Sequence, residues 1–169
     1  MKPSLRFPEN QIKEIASRYR YSLDEDGLLN IKDQIRRRGY LKKSELKKIA
    51  LWKAPRIAGR IERNDEKYVH EITAFSLASK SERARIESLT VLDGVSWPMA
   101  SVILHFYHGR KYPILDFRAL WSVGLEAPGW YKFDFWWVYV EFCRKIAKRN
   151  RVTMRVFDQA LWQYSKENQ

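Results

Sequence analysis

Residues 90–124 read TVLDGVSWPMASVILHFYHGRKYPILDFRALWSVG. The stretch is nearly uncharged, yet it sits in a 169-residue chain of formal net charge +12. Gly94 marks a tight turn, because only glycine takes a positive φ or a close backbone approach without cost. Pro98 fits the first turn of a following helix, where its missing N–H is harmless. The run from Met99 to Tyr107 then reads as an apolar helix. Pro113 holds its predecessor out of the helical region, so KYPIL is extended but too short for a sheet. Asp116, between Leu115 and Phe117, is a favoured cap for the helix that follows. The order is therefore helix, tight turn, helix, extended segment, capped helix.

The flanks are helical as well. Pro8 and Glu9 open a helix running to Tyr19, with Ile12, Ile15, Ala16 and Tyr19 on one face. Leu28, Ile31 and Ile35 mark a second, stopped by Gly39. Ser44 caps a third, with Leu46, Ile49, Ala50 and Trp52 inward, and Pro55 ends it. A fourth spans Asp65 to Ser79 with Tyr68, Val69, Ile72 and Phe75 inward. Ser79 to Glu82 form a capping box for a fifth, which ends near Leu92. Asp134 caps a long helix with Trp136, Tyr139, Val140, Cys143 and Ala147 on one face. Thr153 caps the last, with Phe157, Ala160, Leu161 and Tyr164 inward. No run alternates as a strand does. The expectation is an all-α protein, a single helical domain over residues 1–169.

Thirty-two Lys and Arg against 20 Asp and Glu favour a polyanionic partner. From Lys32 to Arg63 there are twelve cations and three acids, Asp33, Glu45 and Glu62. Such a run is either a solvated face or a phosphate-contacting one. Arg110 and Lys111 add to it. The one cysteine, Cys143, excludes an internal disulfide, a four-cysteine iron–sulfur cluster and a cysteine zinc site. No apolar stretch has the length of a membrane span or a signal-peptide core, so no membrane partner and a cytoplasmic setting are expected. His70, His105 and His108 lack metal-ligand spacing. Asp24, Glu25 and Asp26 read as a helix start.

Leu92, Gly94, Val95, Ala100, Gly109 and Asp116 together carry a resemblance. Residues 83–124 resemble the helix-hairpin-helix DNA glycosylase superfamily, whose hairpin has the form Leu-x-Gly-Val-Gly and whose aspartate lies about twenty residues beyond it. The resemblance implies double-stranded DNA as partner, gripped by Gly94, Val95, Ser96 and Trp97 together with Arg110, Lys111 and Arg118. It implies Asp116 as the catalytic residue. The backbone carbonyls of Thr90, Leu92 and Val95 would hold a structural K⁺ or Na⁺, the one cofactor implied. Two positions depart from the pattern: Ser96 replaces the second hairpin glycine, and Arg118 stands where a histidine is usual. The lysine nucleophile of some members falls at Pro98, so base release without strand cleavage is implied. Trp52 and Trp121 are candidates to line a base pocket.

Each feature also has a plainer reading. Gly-turn-Pro is an ordinary helical hairpin, Asp116 a helix cap, and most of the seven tryptophans core. Two rival functions stand beside the glycosylase. One is a non-catalytic helix-hairpin-helix protein that binds DNA or RNA. The other is a basic helical accessory subunit of a larger complex.

Overall fold

The computed structural model describes residues 2–20 and 25–169. Every regular element among them is helical. The chain forms two units: Leu23–Arg110 makes one, and Met1–Ser22 with Lys111–Gln169 makes the other. No helix is long and apolar enough to cross a membrane among the described residues.

The Leu23–Arg110 unit holds α2 (Asp26–Asn30), α3 (Lys32–Arg38), α4 (Lys43–Lys53), α5 (Ala58–Ile61), α6 (Glu66–Ala78), α7 (Glu82–Leu89) and α8 (Trp97–Tyr107). The other unit begins with α1 (Ile12–Ser17) and continues with α9 (Phe117–Ser122), α10 (Phe133–Arg149) and α11 (Met154–Asn168). α8 is the centre of its unit. Met99 through Leu104, Phe106 and Tyr107 are all buried, and α3, α4 and α7 pack around it. This all-round burial explains why the helix is almost uncharged: it has no solvent face to carry charge.

α10 and α11 have the opposite character, with one apolar stripe each. Trp136, Tyr139, Val140, Cys143 and Ala147 are buried on α10, and Phe157, Ala160 and Leu161 on α11, as their spacing requires. Thr153 caps as expected, accepting the Val156 N–H at 3.1 Å, and Asp65 caps α6, accepting the Lys67 N–H at 2.7 Å.

Three caps lie elsewhere than expected. Ser44 is inside α4, whose N-cap is Lys42; the Lys42 N–H is satisfied by the Glu45 carboxylate at 2.7 Å. Ser81, not Ser79, caps α7 by accepting from the Ala84 N–H at 3.2 Å. That shift places Glu82 in the first turn, where it pairs with Arg85 at 2.6 Å and Arg110 at 2.5 Å. Lys132 precedes α10, and Asp134 lies within its first turn. Asp24 of the acidic cluster lies outside the described residues.

The buried face of α6 is also rotated from the apolar reading. Val69, Thr73 and Ser76 are buried, whereas Tyr68 and Phe75 are exposed. The hydroxyls make this possible. Thr73 Oγ1 donates to the Val69 carbonyl at 2.7 Å and accepts the Leu41 N–H at 2.9 Å; Ser76 donates to the Arg85 carbonyl at 2.7 Å. Small satisfied hydroxyls can enter a core that bulky rings cannot.

Candidate functional site

The turn between α7 and α8 is a built feature. Gly94 has φ +81°, and Val95 donates to the Leu92 carbonyl at 3.0 Å to close the bend. A Cβ on Gly94 would lie 2.9 Å from Ile61 Cδ1 and 3.2 Å from Arg60 Cβ. Glycine is therefore required twice, by backbone angle and by close packing. Asn64 locks the turn from the side. Its amide oxygen accepts the Asp93 N–H at 2.9 Å, and its Nδ2 donates to the Asp93 and Ile61 carbonyls, both at 3.0 Å. Asn64 is 4% exposed, so these bonds work away from water and hold the turn against the segment 55–64.

That segment brings cations to the turn. A 3-10 turn, Pro55–Ile57, leads into α5, and both lie against Gly94. Arg56, Arg60 and Arg63 on it are exposed and form no ion pair among the described residues. Three other cations of the 32–63 run are spent internally. Arg38 pairs with the buried Glu45, and Lys43 and Lys47 with Glu62 at 3.4 and 2.5 Å. Lys47 and then Lys43 hold the Glu62 carboxyl below the usual carboxylate range. Within the run, Arg38, Lys43 and Lys47 are thus paired, while Arg56, Arg60 and Arg63 are exposed beside the turn.

The expected hairpin residues are placed as follows. Ser96 is exposed and its side chain does not cap α8; Trp97, the first helical residue, is half-buried. Val95 and Leu92 are buried. The carbonyls of Thr90, Leu92 and Val95 are neutral oxygen donors, a chemistry that suits K⁺ or Na⁺. Leu92 has already committed one lone pair to the Val95 N–H. No group of His, Cys, Asp and Glu could hold a metal ion among the described residues. Arg110 is exposed and bound to Glu82; Lys111 is exposed, with its carbonyl accepting from Arg144 at 2.7 Å.

Asp116 belongs to the other unit and caps α9. Its Oδ1 accepts the Arg118 N–H at 3.0 Å, and the residue is half-buried. The chain leading to it is clamped on both sides of Ile114. The Ile114 N–H donates to Asp158 at 2.8 Å, and the Ile114 carbonyl accepts the Tyr139 hydroxyl at 3.0 Å. Arg155 in turn holds Asp158 at 2.7 Å. Burial pushes the Tyr139 phenol well up, so it serves as a fixed donor. The Arg118 guanidinium lies over Phe117 at 5.1 Å and Trp162 at 5.7 Å.

α9 ends at Gly124, φ +69°, with Gly124 N–H to Trp121 at 2.9 Å and Leu125 N–H to Leu120 at 2.9 Å, a Schellman closure. Trp121 is half-buried, stacked on Tyr164 at 5.9 Å with the Arg6 guanidinium 4.5 Å over its ring. Trp52 is buried edge-on against Phe106 at 5.5 Å. One cavity of about 280 Å³ is lined by Arg36, Leu77, Tyr107 and His108. Another of about 410 Å³ is lined by Lys13, Arg151, Thr153 and Gln159. Neither is lined by Asp116, Trp52 or Trp121.

Four features escaped the sequence reading. Asn64 sits in ERNDE, which reads as plain loop. Arg60 touches the turn only through a three-dimensional approach. The clamp of Tyr139 and Asp158 joins residues 25 and 44 positions from Ile114. Trp130, in the loop before α10, is 87% exposed. Only Trp130 had a usable signal, its setting in the turn-forming APGW.

No family model, no curated protein and no solved structure matches the chain.

Proposed function

We propose that this chain binds duplex DNA through the α7–α8 turn and hydrolyses an N-glycosidic bond with Asp116, as a monofunctional DNA glycosylase. One observation carries the reading. A glycine turn at a helix start is locked by Asn64 and packed against Arg60, with Arg56, Arg60 and Arg63 exposed beside it. Main-chain N–H groups at a helix start and mobile guanidinium groups are complementary to backbone phosphates. The carbonyls of Thr90, Leu92 and Val95 would hold an alkali cation there, which supplies a positive charge toward phosphate.

Asp116 contributes a carboxylate on a fixed backbone. Loss of a base builds positive charge on the sugar, and a positioned carboxylate stabilises that charge and orients the attacking water. Pro98 offers no amine for a Schiff base, so the product is an intact strand with an abasic site. A second reading, a binder without catalysis, is favoured by the bond from the Arg118 N–H, which gives Asp116 a complete role as a cap.

Duplexes carrying uracil, alkylated purines, 8-oxoguanine, mismatched adenine or hydroxymethylated pyrimidines decide between them. After incubation, alkali cleaves any abasic site. The enzyme reading expects breaks with one substrate, lost by at least about a hundredfold in Asp116→Asn with DNA binding retained. Binding without breaks on any duplex leaves the non-catalytic reading.

A further inference from the structure

The cavity of about 410 Å³ is built from three pieces of one unit: α1, the turn after α10, and α11. Lys13 and Ser17 line it from α1, Arg151 and Thr153 from the turn, and Gln159 from α11. Half-buried Ala16, Val152 and Val156 give it an apolar wall. Its volume falls in the range of small-ligand pockets, about 300–1,000 Å³.

Bonds fix the frame on each side. Glu9, just before α1, accepts from Arg149 Nε at 2.9 Å and from Asn150 Nδ2 at 2.6 Å, which ties the turn to α1. Arg18 holds α1 to Glu167 of α11 at 2.9 Å, and Arg155 of α11 donates to the Tyr19 hydroxyl at 3.1 Å. The turn itself closes through the Arg151 N–H on the Lys148 carbonyl at 3.2 Å and the Val152 N–H on the Ala147 carbonyl at 3.1 Å.

Inside this frame, positive charge is left over. Every acid on α1 and α11, and Glu9 before them, is paired elsewhere: Glu9 with Arg149, Glu14 and Glu167 with Arg18, Asp158 with Arg155. No acid lines the cavity. Lys13 and Arg151 do line it, and neither side chain makes an ion pair or hydrogen bond among the described residues. The half-buried Gln159 amide has no partner among them either. Thr153, whose side-chain oxygen takes the Val156 N–H, keeps its O–H to donate. Arg151 is also the one non-glycine residue at positive φ, +52°, among the described residues. Glycine would relieve that angle, so the guanidinium is held at the cavity at a cost in stability.

We propose that this cavity binds a phosphate monoester of a small organic molecule. Lys13, Arg151, Thr153 and Gln159 take the phosphate, and Ala16, Val152 and Val156 take the organic part. Two cations and two neutral donors match the nearly double charge and three free oxygens of a monoester better than the single charge and two oxygens of a carboxylate. The cavity lies in the unit that does not contain the α7–α8 turn, so it stands whether or not that turn grips DNA.

The test is calorimetric titration of the full chain with glycerol 3-phosphate, glucose 6-phosphate and thymidine 5′-monophosphate, beside inorganic phosphate and succinate at equal ionic strength. At least one monoester is expected to bind at least tenfold more tightly than inorganic phosphate or succinate. The double variant Lys13→Gln, Arg151→Gly is expected to bind it at least about tenfold more weakly, while melting no lower than wild type and keeping wild-type duplex affinity. Binding unchanged in the double variant, or no monoester bound by wild type, overturns the proposal. Inorganic phosphate or succinate binding as tightly as the best monoester also overturns it, since the cavity then takes any small anion. So does a loss of duplex affinity in the double variant with no monoester bound, which assigns the two cations to a DNA backbone phosphate.

Discussion

Gly94 and Arg151 hold the same kind of backbone angle, φ +81° and +52°, with opposite consequences. Gly94 needs that angle and has Ile61 and Arg60 against its α-carbon. Arg151 closes α10, with its N–H bonded to Lys148 and the Val152 N–H to Ala147, in a position where a side chain is strained. Substitution should therefore change stability in opposite directions at the two sites. Gly94→Ala is expected to cost about 3 kcal/mol, from the left-handed angle plus overpacking. Arg151→Gly is expected to gain about 0.5–1 kcal/mol, since relief of strain exceeds the added freedom of the unfolded chain. Thermal melts of the two variants check this. A stabilised Gly94→Ala would mean that the turn is not as tightly packed as described.

At the scale of elements, α1 and α11 are joined by a two-point ion pair. Arg18 donates from Nε and Nη2 to the Glu167 oxygens at 3.0 and 2.9 Å. The Arg18 hydrogen bonds, then that from Gln163, hold the Glu167 carboxyl down at about 2, against an ordinary 4.5. Folding thus favours the ionised form. The contribution is complete above pH 4.5 and is lost as pH falls through about 2. The pair is largely solvated, which keeps its contribution small. Glu167→Gln is expected to melt below wild type at neutral pH, with the gap closing as pH drops across that window. A gap that persists at the acid end would assign the loss to packing instead of charge.

The same elements show what sequence reveals. The stripes of α10 and α11, the stops at Gly39 and Pro55 and the cap Thr153 follow from spacing and residue type alone. On α6 apolar spacing places Val69 correctly, but Tyr68 and Phe75 are exposed, and Thr73 and Ser76 enter the core through hydroxyl bonds that spacing does not show. Ser44, Ser79 and Asp134 are good caps by type, but register depends on which neighbour satisfies the N–H groups. α5 is a single turn, too short to leave a period. Gly94 as a turn and Asp116 as a helix cap were legible from residue type and spacing. Asn64, Arg60 and the clamp on Ile114 were not, because each is a contact between distant positions.

For the whole molecule, net charge +12 is a statement about partners only if some cations are left unspent. Arg38, Lys43 and Lys47 are spent on Glu45 and Glu62, and Arg110 on Glu82. Arg56, Arg60 and Arg63 are exposed beside the Gly94 turn, and in the proposed function they meet DNA phosphates there. The most direct measurement is duplex affinity across a salt series, for wild type and for the triple variant Arg56→Ala, Arg60→Ala, Arg63→Ala. Alanine keeps the Arg60 Cβ that packs on Gly94, so the turn is preserved. If the arginines meet phosphates, the triple variant binds more weakly and its log–log salt slope is shallower by about 2 to 3, close to one for each phosphate contact removed. Equal affinity and equal slope would contradict it and take the DNA-gripping surface away from the turn.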